Sequence, residues 1–356
     1  MSSAIVIILS VLLFSFLIFI HELGHFLAAK WSGVRVNEFA MFMGPAIFKK
    51  QKGETLYSIR CIPIGGYCAM EGEDGDSEDP RAFGSAAWWK RLIILVAGSF
   101  MNMVAGILIM LLIYLPTQEV VLPEIDRFES YSTLSGENGL QPGDRFVSID
   151  GEKIYLQSDF SLILELNPGQ VHDVVVERNG QHVKLNDFVM EKHTVLEDGV
   201  ERQMFGIQFR VAEADLGMKL QVGWYNCLDA MRMVRLSLQM LFSGEAGMKD
   251  MSGPVGIVDQ MVQVAGTSET ANDALLNLLY FGAFIAINLA MMNMLPIPAL
   301  DGGRVVALLI TVAVERIIGK KLNPKYEAVV HGVGMVLLLA LMAFILFKDV
   351  FMIFKR

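Results

Sequence analysis

Four long stretches of this chain carry almost no charge, and the polar residues are grouped between them. They run from Ala4 to about Leu27, from Leu92 to Leu115, from Ala274 to about Leu295 and from Ala328 to Phe347. A helix needs about 20 apolar residues to cross a bilayer, so the pattern predicts four spans. A further apolar run from Arg304 to Val314 continues the third span past a break. Between the second and third spans the period changes. Asp173 to Arg178 alternates in the manner of a strand and meets the turn pair Asn179-Gly180, which predicts a hairpin. Farther on, Val222 to Phe242 places Met231, Val234, Leu238 and Leu241 at helical spacing. Arg232 and Arg235 oppose a crossing there, so a membrane-surface or packed helix is expected.

These readings divide the chain into seven segments. Residues 1–30 form the first transmembrane helix and 31–91 a cytoplasmic loop. Residues 92–115 form the second helix, 116–213 a separate soluble domain and 214–273 a helical region at the extracytoplasmic membrane surface. Residues 274–315 hold the third, broken segment and 328–354 the fourth helix.

Composition agrees with a membrane protein. Hydrophobic residues make up 53% and charged residues 19%, and the mean hydropathy is +0.46, too apolar for an ordinary soluble domain. The first stretch lacks the basic start and small-residue cleavage site of a secretory signal, so it reads as a retained helix. Nine Lys or Arg lie from Lys30 to Arg91, and Arg316, Lys320, Lys321 and Lys325 follow the third segment. The positive-inside tendency puts both loops in the cytoplasm and both termini outside, although Lys348, Lys355 and Arg356 oppose this. A net charge of −9, without a basic stripe, excludes nucleic acid as the main partner. Cys61, Cys68 and Cys227 fit neither a disulfide framework nor a common zinc ribbon.

The chemistry sits where water is scarce. His21-Glu22-Leu23-Gly24-His25 is an H-E-x-x-H motif at the end of the uncharged run from Ala4 to Ile20. Positions i and i+4 lie about 40° apart around a helix, so both imidazoles project from one face. Two histidine nitrogens beside a carboxylate are parts of a zinc hydrolase, with the glutamate taking a proton from water at the metal. A catalytic zinc needs a third protein ligand and an open fourth position. The residues after His25 lack the H-x-x-G-x-x-H continuation, and Glu38 falls in the polar loop.

The better candidate is distant. Asp301 is the only acid between Asp273 and Glu315, and a carboxylate in such an apolar reach needs a partner. A metal would supply one, and pairing with Arg304 is the bland alternative. Pro296 and Pro298 break the helix, and Gly302-Gly303 permit a close approach. Broken backbone at membrane depth is tolerated where it lines a cavity. Asn288 and Asn293 are also polar in this reach: an amide aimed at a scissile carbonyl would steady an oxyanion, or the pair glues helices together.

Taken together, His21-Glu22-Leu23-Gly24-His25 and Asn293-Met294-Leu295-Pro296-Ile297-Pro298-Ala299-Leu300-Asp301-Gly302-Gly303 resemble the site-2 protease family, zinc metalloproteases that cut transmembrane helices. Within it, the chain is similar to the bacterial regulators of envelope stress signalling. Ile62-Pro63-Ile64-Gly65-Gly66-Tyr67 resembles the family's membrane re-entrant β-hairpin, and Ser252-Gly253-Pro254-Val255-Gly256-Ile257 its S-G-P segment. Ser99, in Ala97-Gly98-Ser99-Phe100-Met101-Asn102, stands where members often carry proline. Asn138 to Gly151 resembles the G-L-x-x-G-D core of PDZ domains, which offer a sheet edge to a peptide or act as a plug.

The resemblance implies a polytopic α-helical protein of a bacterial cell membrane, with four transmembrane helices, a re-entrant hairpin and one inserted extracytoplasmic PDZ domain. It implies that His21, His25 and Asp301 hold Zn2+, that Glu22 is general base and acid, and that Asn293 binds substrate or transition state. The hairpin would pair with an unwound substrate as an added strand, with Gly65 and Gly66 letting backbones close in; alternatively they make an ordinary turn. Implied substrates are single-span membrane proteins, such as anti-sigma factors, or leftover signal peptides. A metal transporter and a dead PDZ-bearing scaffold are the rival readings.

Overall fold

The chain is described by a computed structural model covering residues 2–73, 75, 77–167, 169–197, 200–244, 247, 253–319 and 325–355. It divides into two compact units, residues 1–110 with 230–356, and residues 111–229.

In the first unit, α1 (Ser3–Ser32) ends where Gly33 takes φ 81°, a left-handed cap that suits glycine. Its Ser10 and Ser15 hydroxyls donate to carbonyls four residues back, a low-cost way to bury a hydroxyl in an apolar helix. Next come β1 (Val36–Lys52) and β2 (Thr55–Met70), both bent. Residues 38–41 have partners on two sides: Ala69 to Gly66 in antiparallel register, and Leu56 to Ile59 running in the same direction. Phe48 to Lys52 then pair back with Ile59 to Thr55. Two strands thus fold into four short rows, with residues 66–70 along one border. The bends occur where Phe42, Gly44 and Gly65 take positive φ (71°, 84° and 81°). Arg60 holds the turns together, donating to the Gly44 carbonyl at 2.6 Å and to Glu38 at 2.8 Å. α2 (Trp88–Tyr114) follows. Val36, Phe39 and Cys68 of the sheet share a core with Ala28 and Ala29 of α1 and with Ile94 and Leu95 of α2.

The second unit holds β3 (Glu119–Phe128), β4 (Arg145–Ile149), β5 (Glu152–Lys153), α3 (Gln157–Leu166), β6 (Val171–Arg178), β7 (Gln181–Val189), β8 (His193–Glu197), β9 (Val200–Met204) and β10 (Ile207–Glu213). One sheet runs in the order β10-β3-β4-β6-β7 with β5 on β4, and β8 pairs with β9. The Asn179-Gly180 turn between β6 and β7 has φ 51° and 76°, the double left-handed geometry that the pair favours. Phe146, Ile149, Phe160, Ile163, Val174 and Val176 fill the core. Arg178 grips the fully buried Asp144 through two hydrogen bonds of 2.7 Å and reaches the Gly139 carbonyl at 2.8 Å.

Helices close the chain: α4 (Leu216–Ser243), α5 (Pro254–Thr267), α6 (Ala271–Asn293), α7 (Asp301–Ile318) and α8 (Lys325–Lys355). Among the described residues, α1, α2, α6 and the Val329–Met352 stretch of α8 are long and apolar enough to cross a membrane. Exposed Leu12, Phe16, Leu112, Leu275, Leu337 and Phe347 give these helices apolar outer positions that suit lipid. The expected break in the third segment is the turn from Met294 to Leu300 between α6 and α7. Ser252 of the S-G-P motif lies outside the described residues, as do Lys320 and Lys321. Gly253 and Pro254 open α5, where buried Asp349 of α8 accepts the backbone N–H of Gly253 and of Gly256, each at 2.9 Å. Cys61, Cys68 and Cys227 are free thiols.

Candidate metal centre

On α1 the helical spacing sets His21 and His25 side by side, with Nε2 atoms 3.2 Å apart. The His25 Nδ1–H donates to the Ile94 carbonyl of α2 at 2.8 Å, which fixes the tautomer and leaves Nε2 as a free lone pair. The Asn102 amide lies 3.3 Å from His21 Nδ1, and its Oδ1 is buried without another partner. With the amide turned end for end, Oδ1 accepts from the Nδ1–H, the orienting contact that a metal-binding imidazole makes.

α1 and α2 approach closely because glycines face the crossing. A Cβ on Gly24 would strike the Ala97 carbonyl, and one on Gly98 would strike His25 Nε2 and the His21 ring. Gly98 therefore leaves the space in which both imidazoles stand.

Asp301 arrives from the far end of the chain as the first residue of α7, where the helix dipole favours a carboxylate. Gly302 and Gly303 lie against the backbone of Met294, Leu295 and Ile297, positions that admit no side chain. Asp301 Oδ2 sits 3.2 Å from His21 Nε2 and 3.5 Å from His25 Nε2. The neighbouring Arg304 guanidinium pairs with Glu73 of the loop after β2. That loop is pinned by ionised carboxylates: Asn37 and Ser77 hold Glu71 below the usual carboxylate range, and the Arg81 N–H and Arg35 hold Asp79 below it too.

The three donor atoms fit one zinc ion. Tetrahedral zinc with bonds of about 2.0–2.1 Å puts its ligand atoms about 3.3 Å apart, against 3.2, 3.2 and 3.5 Å here. Asp301 Oδ2 is buried and accepts no hydrogen bond, so an ion is the partner it lacks. His21, His25 and Asp301 are the group of His, Cys, Asp or Glu, among the described residues, whose donor atoms converge in this way. Glu38 is occupied elsewhere, accepting from Ser58 at 2.6 Å as well as from Arg60.

The remaining site candidates separate. A Cβ on Gly66 would lie 3.5 Å from Glu22 Cγ, so the sheet border passes beside that carboxylate. At Gly65 the same direction meets Met43 instead, and its φ of 81° makes it a turn residue. Asn293 ends α6 and Asn288 lies five residues earlier, both half-buried. Five residues turn a helix by about 140°, so the two amides point to different sides. By composition Gly98 and Asn102 are only a small and a polar residue in an apolar span; the resemblance of Ala97 to Asn102 to a family segment is the signal that points towards Asn102.

Two imidazoles and a carboxylate around a space for one zinc ion, with a second carboxylate at hand, define the donor set of a zinc hydrolase. Residues 9–341 match peptidase family M50. A Clostridium acetobutylicum protein named as a zinc metalloprotease is 34% identical over 347 residues, 97% of each chain. Zinc metalloprotease RasP of Oceanobacillus iheyensis is 30% identical, over 96% of this chain and 97% of its own. The regulator of sigma-W protease RasP of Bacillus subtilis is 28% identical over the same shares. The chain belongs to peptidase family M50, the site-2 protease family. It is a zinc metalloendopeptidase and a multi-pass membrane protein.

Proposed function

We propose that this enzyme hydrolyses peptide bonds within the transmembrane segments of single-span proteins in a bacterial cell membrane. The observation that carries the reading is the convergence of His21, His25 and Asp301 at zinc spacing on helices that include membrane spans. One contact supports a re-entrant sheet. The Ser15 hydroxyl of α1 shares its proton between the Val11 carbonyl at 2.7 Å and the Pro63 carbonyl at 3.1 Å, so the bend of β2 lies beside the middle of an apolar span. His21 is six residues along the same helix, about 9 Å away.

In this reading His21, His25 and Asp301 hold the zinc, which when bound acidifies water and polarises a peptide carbonyl. Glu22 takes the proton of the attacking water and returns it to the leaving amine. Residues 66–70 accept an extended stretch of substrate as an added strand, and Gly66 lets that backbone pass beside Glu22. Gly65 makes the bend that aims this border. Asn293 steadies the oxyanion; Asn288, expected to share that role, projects from another side of α6. A helix hides its peptide bonds, so an edge that holds the chain extended is what exposes them to water.

Residues 116–213 form a PDZ domain on the extracytoplasmic side that binds a peptide or blocks access. Anti-sigma factors are the favoured substrates, since one relative is named as a regulator of sigma-W protease; remnant signal peptides are the alternative. The test is co-expression with tagged single-span proteins. Wild type should yield a membrane-cut fragment, and Glu22→Gln should retain stoichiometric zinc yet leave the substrate whole. Equal cleavage by both would refute the assignment.

A further inference from the structure

The carboxylate at the metal centre is delivered by a turn that is not comfortable by itself. Two residues before Asp301, Ala299 has φ 79°, the left-handed region that alanine rarely adopts. The backbone around it is crowded, because Gly302 and Gly303 press on the chain just before it. Something outside the turn has to hold it.

That support comes from α8. The Ala299 N–H donates to His331 Nδ1 at 3.2 Å. One turn later Gly334 leaves room for the same loop: a Cβ there would lie 2.9 Å from the carbonyl carbon and oxygen of Pro298. Positions 331 and 334 share a helix face, so α8 touches two successive residues of the turn with one surface.

We infer that His331 is a positioning residue for the metal centre: by accepting the Ala299 N–H it holds the left-handed turn that sets Asp301 against His21 and His25. The inference rests on the reading of Asp301 as a zinc ligand. His331 acts through Nδ1 as an acceptor, so its proton sits on Nε2, opposite to the tautomer of His25. Released from this contact, Ala299 relaxes towards negative φ, and the chain two residues on swings the carboxylate off a site whose donors agree within a few tenths of an ångström.

The test uses the full-length protein in detergent and measures zinc affinity by competition with a chromogenic chelator. Orienting contacts of this kind change metal affinity by about 10–100-fold. His331→Ala should weaken zinc binding by about tenfold, and His331→Asn, whose amide oxygen also accepts, should stay near wild type. Ala299→Gly adopts the turn without strain, so it should restore affinity in the His331→Ala background. Wild-type affinity in His331→Ala, with Asp301→Ala weakened, overturns the inference and leaves the ligand assignment intact. Unchanged affinity in Asp301→Ala overturns the ligand assignment and the inference with it. Where His331→Ala does not fold, recovery of folding and zinc by the added Ala299→Gly supports the inference, and no recovery overturns it.

Discussion

Gly98 has no side chain, yet it decides whether two others can meet a metal. Its missing methyl is the space beside His25 Nε2 and the His21 ring. Gly98→Ala should therefore abolish zinc binding while α1 and α2 remain helical, which metal analysis paired with circular dichroism would show. Asn102 works by contact instead. Asn102→Ala should loosen zinc by about 10–100-fold, and Asn102→Asp, keeping an acceptor for the His21 Nδ1–H, should lose far less in a chelator competition. Gly98 was not legible as part of the centre from sequence, and Asn102 was legible only through the resemblance of Ala97 to Asn102 to a family segment, which Ser99 weakens. Their role depends on which face of α2 meets α1, and an apolar span has no polar stripe to announce it. His21, Glu22 and His25 were legible as an H-E-x-x-H motif, in which helical spacing puts both imidazoles on one face. Asp301 was legible because a lone acid in an apolar reach demands a partner.

Among the elements, the bent sheet from Val36 to Met70 was the least visible in advance. Only Ile62 to Tyr67 stood out as a hairpin, since each strand is two short rows joined at a positive-φ bend and neither alternates cleanly. The hairpin at Asn179-Gly180 was plain, because that pair prefers the backbone geometry of a tight turn. The Ser15 hydroxyl ties the sheet bend to α1. A neutral hydrogen bond contributes about 0.5–1.5 kcal/mol, and about 1.4 kcal/mol is tenfold in rate. Ser15→Ala should thus lower kcat/KM on a membrane substrate by roughly two- to tenfold with zinc content unchanged. A drop in zinc content instead would mean that the serine supports the metal centre and not the proposed substrate-binding border.

At the scale of the molecule, the four spans were readable from charge-free runs, and the break between α6 and α7 from two prolines and two glycines. The closure of the chain's ends around one site was readable only as chemistry: no periodicity links residue 21 to residue 301. Residues 111–229 carry their own core and sheet, so this unit produced alone should unfold in one cooperative urea transition. Arg178→Ala leaves Asp144 buried without its cation, a change that typically destabilises by about 3–5 kcal/mol. A fall in the urea midpoint at constant slope would register it; an unchanged midpoint would show that the pair is idle.

Asp349 holds the start of α5, and His331 the turn before Asp301, from positions 18 residues apart on α8. Eighteen residues make about five complete helical turns spanning about 27 Å, close to the thickness of a hydrocarbon core. Both anchors consequently fall on the same line along the rod, and the helical phase between them is a quantity the sequence has to conserve. Adding a single residue anywhere in that interval rotates one anchor by about 100° relative to the other, so α8 can stay threaded through the bilayer and still lose its grip at one end.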